Sequence, residues 1–170
     1  MTQSRIATAL GRLENVIAND PSVARVRNPP ARAMLTQGLK CRVTGPAGEH
    51  VETDMSPALG GDGSSPSPGW LFRAASAACC LTVIAMRAAR LGIDLTTLEV
   101  LVTSDGDTRG MLGLDEISAG YSAMQTEVRI GAKDATPEQL TELVHWADGH
   151  SPVGCTVRDA PVNDLRIVVV

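Results

Sequence analysis

Residues 70–91 read WLFRAASAACCLTVIAMRAARL. Alanine and other helix formers dominate this stretch, and Gly92 follows it as a stop signal, so the pattern predicts one long helix. The 13 residues between Arg73 and Arg87 carry no charge. A helix that is apolar on all sides is either buried or membrane-spanning, and 13 residues fall short of the roughly 20 that a span needs. We therefore predict a buried central helix.

Shorter elements surround this helix. Helices are predicted at Ser4–Ala18 and from Thr136 to about Asp148, strands at 31–35, 39–44, 50–54, 98–104, 121–130 and 164–170, and a turn or short helix at 151–156. The helix at Thr136 begins with a capping box, which Gln139 completes. A three-stranded meander before the long helix is typical of an α+β fold rather than of alternating βαβ units. We expect a single domain over residues 1–170, with residues 1–20 as a helical extension.

The composition limits the classes of partner. The chain has 170 residues and a formal net charge of −4, which favours neither nucleic acid nor an anionic membrane surface. Aromatic residues make up only 2% of the chain, so small aliphatic side chains must fill the core, and such a core gains by burying surface between subunits. Charges interrupt the apolar pattern of the N-terminal helix, unlike a signal peptide, and we expect a cytoplasmic protein.

The four cysteines are predicted to be free thiols, because structural disulfides are rare in a reducing compartment. They are Cys41, Cys79, Cys80 and Cys155. No CxxC pair exists, and the spacing fits no zinc site. Cys41 lies in a predicted meander strand and is interpreted as a structural thiol.

His145 and His150, with Asp148 between them, are the remaining candidates for a metal site. Their five-residue spacing does not place both histidines on one face of a helix. We interpret the three residues as a charged helix end, and we expect neither a metal nor another cofactor.

Three stretches carry a resemblance to a known family. They are the run 58–63 (ALGGDG) leading to Pro68, the central helix from Ala77 to Gly92, and His150-Ser151-Pro152-Val153. In this order and spacing they resemble the OsmC/organic hydroperoxide resistance family over roughly residues 30–170. The resemblance implies an α+β, OsmC-like fold, in which antiparallel sheets of both chains wrap two long central helices in an intertwined homodimer.

The resemblance also implies a redox site. Active members use a reactive cysteine on the central helix, and Cys79, eleven residues after Pro68, matches it. A second cysteine in the turn, a glutamate after the proline and an arginine of the N-terminal strands complete the family's site. Ser151 holds the place of the second cysteine, and Gly69 holds that of the glutamate. Arg32 is the first choice for the arginine and Arg27 the second.

The regeneration of an oxidised Cys79 has two possible routes. Cys155 lies four residues after Ser151, which is one turn or roughly 6 Å if the segment is helical. A disulfide needs Cα atoms within roughly 7 Å, so Cys155 could act as the resolving thiol. Cys80 points about 100° away from Cys79 on the helix and cannot easily do so. The other route is an external thiol reductant.

Two functions remain open at this point. One is a weak or atypical thiol-dependent reductase of organic hydroperoxides, with Cys79 as nucleophile, Arg32 as the tuning cation and Cys155 as a possible partner. The other is a non-catalytic protein of the same fold, which binds a small hydrophobic ligand in the cleft around Cys79, with Ser151 and Cys80 as pocket residues. Both predict a homodimer that binds neither nucleic acid nor a membrane.

Overall fold

The structure, a computed structural model, describes residues 2–170, with side chains from Ser4 onward. Its contacts divide the chain into two compact units, Thr8–Ala74 and Ala75–Val170, the latter together with the residues up to Ala7. The one-domain organisation stays a prediction. The helices are α1 Thr2–Asn19, α2 Pro68–Leu91, α3 Thr108–Met111, α4 Pro137–Asp148 and α5 Pro152–Arg158, and the strands are β1 Arg32–Gln37, β2 Lys40–Thr44, β3 His50–Thr53, β4 Leu95–Asp105 and β5 Ala123–Ala132.

The unit Thr8–Ala74 is built on an antiparallel meander in the order β1-β2-β3. Gly38, with φ +55°, provides the tight turn between β1 and β2. Arg42 and Glu52 face each other across β2 and β3 and form an ion pair of 2.7 Å. Opposite charges at paired positions favour this register. The meander therefore has the strand order that the sequence predicts.

The glycine-rich loop after β3 folds around one carboxylate. Asp54 is 1% exposed and accepts hydrogen bonds from the backbone N–H groups of Met55 (2.8 Å), Asp62 (3.2 Å) and Ser64 (3.0 Å), and from the Ser64 hydroxyl (2.9 Å). Gly61 lies so close to the Met55 carbonyl that a Cβ there would overlap it. The loop thus has a defined structure that needs both the aspartate and this glycine.

The second unit holds the hydrophobic core. Ile84 of α2 is completely buried and packs with Leu143 and Ala147 of α4. Partly buried side chains of the β4–β5 pair cover this cluster, among them Leu98, Val100, Val128 and Ile130. Gly92, with φ +70°, ends α2, and the N–H of Ile93 donates to the Ala88 carbonyl in a Schellman arrangement. Both the helix and its stop are confirmed.

The long helix is not buried on all sides within one chain. Its buried positions Cys80, Ile84 and Ala88 recur every four residues, whereas Ala78 and Met86 are exposed. By length and composition, α2 is the one helix among the described residues that could cross a membrane, and 17% of its apolar window is buried. One chain therefore covers one face of α2, and the all-round burial expected from the sequence is not met by the single chain.

Most predicted elements are confirmed within a few residues. Thr136 and Gln139 form the predicted capping box at α4, and the segment after Ser151 is a short helix. The strand predicted at 164–170 is wrong for the single chain, because residues 159–170 form neither helix nor strand. Its apolar residues, such as Leu165 and Ile167, are exposed. A strand needs a neighbouring strand for its backbone hydrogen bonds, and within residues 2–170 none pairs with this segment.

Candidate functional site around Cys79

Cys79 and Ser151 meet in the structure, although 72 residues separate them in sequence. Cys79 lies in the middle of α2 and is half-buried, and its thiol is free. The Ser151 hydroxyl donates a hydrogen bond to the Cys79 Sγ at 3.3 Å. The sequence predicted this proximity only through the family resemblance, in which position 151 faces the reactive thiol.

Ser151 is held in place by the start of α5. It is the N-cap residue of this helix, and its Oγ accepts a hydrogen bond from the backbone N–H of Gly154 at 3.3 Å. Because this N–H occupies a lone pair of the oxygen, the hydroxyl proton is free to point at the thiol. Ser151 is 1% exposed, so bulk solvent has little access to either bond. The cap therefore holds the Ser151 oxygen near Cys79 and leaves its hydroxyl proton available to donate to the thiol.

Cys80 and Ser151 line one small cavity of about 160 Å³, together with Ser76, Asp148 and Arg158. Burial, and then the negative charge of Asp148, raise the pKa of the Cys80 thiol. A raised pKa keeps a thiol protonated and poorly nucleophilic. The structure thus brings together the two residues predicted for a ligand pocket, but the space is smaller than the roughly 300–1,000 Å³ of typical ligand sites.

Cys155 is occupied by contacts of its own. It lies on α5, its thiol donates to the Gly149 carbonyl at 3.4 Å, and the Arg158 guanidinium donates to its Sγ at 3.4 Å. Arg158 also binds the Asp148 carboxylate at 3.0 Å, and this bond, with the one to Cys155, raises the pKa of Arg158. Cys155 is a free thiol in this structure, and its role as a resolving partner stays a prediction.

The two arginines proposed as the tuning cation lie in the unit Thr8–Ala74, outside the unit that contains Cys79. Arg32 is the first residue of β1, and Arg27 lies in the segment before it; both are exposed. Gly69, in the first turn of α2, has no side chain with which to replace a carboxylate. The assignment of Arg32 stays a prediction.

Two members of the predicted helix-end cluster, His150 and Asp148, each have a partner of their own. The His150 ring stacks on Trp146 with centroids 3.9 Å apart and an angle of 12°, and its Nδ1 lies 2.6 Å from the Trp146 carbonyl oxygen. Asp148 pairs with Arg158. Among the described residues, no group of three His, Cys, Asp or Glu side chains is placed to hold a metal ion.

Sequence reasoning missed two contacts that shape this region. One is the clamp between Arg158 at the end of α5 and Asp148 at the end of α4. The other is the stack of His150 on Trp146, whose four-residue spacing was visible in the sequence as a helical neighbour pair. No sequence pattern indicates the ion pair between Arg158 and Asp148, because the chain changes direction between α4 and α5.

Comparison with solved structures identifies the class of fold. An OsmC-like protein from Mycoplasma pneumoniae superposes with a TM-score of 0.67 at 16% identity, over 80% of this chain and 91% of that one. An organic hydroperoxide resistance protein OsmC from Legionella pneumophila gives 0.59 at 20%, over 79% and 91%. The organic hydroperoxide resistance protein OhrB of Bacillus subtilis gives 0.51 at 21%, over 77% and 92%. These likenesses define an OsmC-like α+β fold.

The sequence profile of the family described as OsmC-like protein matches residues 61–166. The chain therefore belongs to the OsmC-like family, as its motifs predicted. No curated protein matches the sequence significantly.

Proposed function

We propose that this protein is a thiol-dependent redox protein that reduces organic hydroperoxides slowly, with Cys79 as its nucleophile. The contact between the Ser151 hydroxyl and the Cys79 Sγ carries the proposal. A buried hydroxyl that donates to sulfur stabilises a thiolate more than a thiol, and the thiolate is the nucleophilic form. Membership of a family with members named for organic hydroperoxide resistance supports the same chemistry.

The first step is a nucleophilic attack on the peroxide. The Cys79 thiolate attacks the terminal oxygen of ROOH, the S–O bond forms, and the O–O bond breaks. Sulfur is oxidised by two electrons to a sulfenic acid, and the alkoxide that leaves takes up a proton to become ROH. The cation that assists this step is assigned to Arg32, with Arg27 as the second choice.

The second step regenerates the thiol. Ser151 contacts Cys79 but has no sulfur, so this position cannot form a disulfide. An external thiol condenses with the sulfenic acid, releasing water and leaving a mixed disulfide, and a second thiol then releases reduced Cys79. Cys155 is the internal alternative, and its bonds to Gly149 and Arg158 would have to break first.

The non-catalytic alternative is a protein that binds a small hydrophobic ligand beside Cys80 and Ser151. The cavity at these residues is small and is lined partly by charged groups. This lining favours a water-sized or small polar occupant over a large apolar one. The redox function is therefore the better supported of the two.

We further propose that the active form is a homodimer. The exposed face of α2 and the exposed apolar segment after α5 are both surfaces that one chain leaves uncovered. Exposed apolar surfaces can mark contact sites. A second copy would cover them symmetrically.

The experiment that tests the catalytic proposal is consumption of cumene hydroperoxide with dithiothreitol as the reductant. We expect slow turnover by the native protein, none by Cys79→Ser, and unchanged turnover by Cys41→Ser, which removes a thiol of β2. Turnover should also survive Cys155→Ser if the external thiol regenerates Cys79. Equal consumption by the native protein and Cys79→Ser would overturn the proposal.

A further inference from the structure

A second cavity lies at the C-terminal end of α2, away from the residues of the redox site. Its volume is about 350 Å³, and its wall includes Arg87, Glu142, Trp146, Leu91, Ile93 and Leu143. It shares no lining residue with the small cavity beside Ser151. Its size falls within the range of small-molecule sites.

Arg87 is the unusual residue of this wall. Its guanidinium Cζ lies 4.4 Å from the centroid of the Trp146 ring, a cation–π contact that uses the flat face of the group. The N–H donors lie in the plane of the guanidinium and point outward from its edges. The Nε atom is buried, and among the described residues it has no hydrogen-bond acceptor. The Nε donor of Arg87 is therefore left without a partner among the described residues.

Glu142 carries the opposite charge on the same wall. No ion pair joins its carboxylate to Arg87 or to another cation among the residues that the structure describes. Gln139 also lines the cavity, and its side-chain oxygen is occupied by the backbone N–H of Thr136, which leaves its amide donors available. The wall thus offers hydrogen-bond donors and a cation, a separate anion, and an apolar surface.

This combination matches a zwitterion. A carboxylate can pair with a guanidinium through two parallel hydrogen bonds, and such charge-assisted pairs are among the stronger interactions of arginine. An ammonium group is the matching partner for a glutamate. We propose that this cavity binds a small molecule of the free amino acid class, with its carboxylate on Arg87 and its ammonium group on Glu142. The aliphatic residues of the wall, Leu91, Ile93 and Leu143, receive its apolar side chain.

The test uses three probes that share one side chain: L-leucine, N-acetyl-L-leucine and L-leucinamide. They present a zwitterion, a carboxylate alone and an ammonium alone. The readout is the indole N–H signal of Trp146 in a proton–nitrogen correlation spectrum of the full-length protein. The signal of Trp70, the other tryptophan, is an internal control, and Trp70→Phe assigns the two.

We expect leucine to shift the Trp146 signal saturably, with a Kd in the millimolar range or tighter. N-acetyl-leucine should bind more weakly, and leucinamide should cause no saturable shift. Because these three comparisons use the native protein, they do not depend on the folding of any variant. Equal binding of leucinamide and leucine, or no saturable shift with leucine, would overturn the proposal.

Two variants locate the contacts. Arg87→Gln should abolish the response to leucine, whereas Arg90→Gln, which removes a charge one turn along the same helix, should leave it unchanged. Glu142→Gln should reduce the affinity for leucine to that for N-acetyl-leucine. A well-dispersed Arg87→Gln spectrum with native affinity would contradict the assigned role of Arg87.

Discussion

Ser151 distinguishes the candidate site of this chain from the two-cysteine site that the family resemblance implies. Its oxygen lies 3.3 Å from the Cys79 Sγ, at the position where the family resemblance places a second cysteine. A hydroxyl cannot form a disulfide, but it can donate a hydrogen bond to the reacting sulfur. In the proposed mechanism, Ser151 thus stabilises the thiolate but does not resolve the sulfenic acid.

The first prediction concerns this hydrogen bond. Ser151→Ala should slow oxidation of Cys79 by an organic hydroperoxide about tenfold at neutral pH, equivalent to about 1.4 kcal/mol, because a hydrogen bond to the thiolate is lost. The rate is measured by quenching the reaction at set times and labelling the Cys79 thiol that is still reduced.

The matched control is Thr156→Val, which removes a hydroxyl from α5 that bonds only to the Pro152 carbonyl. Its rate should equal that of the native protein. An unchanged rate in Ser151→Ala would mean that the contact has no role in the reaction.

The second prediction restores sulfur at this position. Ser151→Cys should form a disulfide with Cys79 after one peroxide pulse, because the two side-chain atoms need to approach by only about 1 Å to reach S–S bonding distance. Non-reducing peptide mapping detects the bond. Persistent sulfenic acid at Cys79 in this variant, without a disulfide, would show that the two side chains cannot meet as described.

At the residue scale, the sequence predicted that Cys79 and Ser151 are neighbours, because both match positions of the family's site. Cys79 and Ser151 were matched to facing positions, and the structure places them in contact. The hydroxyl's direction was not predictable, because it depends on the Gly154 N–H that caps α5. The buried Nε of Arg87 was equally unpredictable, because it depends on packing against Trp146, which belongs to a different helix.

At the scale of elements, the sequence correctly predicted the features that depend only on neighbouring residues. The capping box of α4 and the glycine that ends α2 depend on residues within one turn, and both formed as expected. The C-terminal strand depends on a distant partner, and its β-branched composition alone did not produce one. The carboxylate at the centre of the glycine-rich loop likewise had no local signal.

The third prediction concerns that loop. The Ser64 N–H, and then the Ser64 hydroxyl and the N–H groups of Met55 and Asp62, lower the pKa of Asp54 against the opposing effect of burial. A lowered folded-state pKa stabilises the protein above the unfolded value of about 4, and the stabilisation is lost as pH falls through the folded-state pKa.

Asp54→Asn should therefore lower the melting temperature by several degrees at neutral pH, and by less in strong acid. Asp134→Asn, which removes an exposed carboxylate, is the control and should change little at either pH. Thermal unfolding at both pH values measures the difference. A deficit for Asp54→Asn that does not depend on pH would contradict the electrostatic account.

At the scale of the whole molecule, the sequence predicted a helix that one small chain could not cover. The structure agrees in one respect, because the face of α2 that contains Ala78, Thr82 and Met86 is exposed. The sequence could not show which surface covers this face. A hydrophobic pattern predicts that a helix face is buried, but it does not indicate which surface packs against it. The homodimer is our proposal for that partner.

The fourth prediction tests the dimer. Sedimentation should show a dimer at micromolar concentration, and dissociation should coincide with unfolding. Ala78→Leu should lower the melting temperature more than Cys41→Ala, because overpacking a close interface costs roughly 1–3 kcal/mol. On an exposed surface the same leucine would be nearly neutral. A folded monomer, or equal melting temperatures for the two variants, would contradict the dimer.

The most direct test of the redox account is the oxidation state of all four cysteines after a brief pulse of organic hydroperoxide, measured by peptide mass spectrometry with a sulfenic acid trap. We expect Cys79 to be oxidised before Cys41, Cys80 and Cys155, and we expect no trapped sulfenic acid in Cys79→Ser. A Cys79 that stays reduced while an added small thiol is oxidised in the same tube would contradict it.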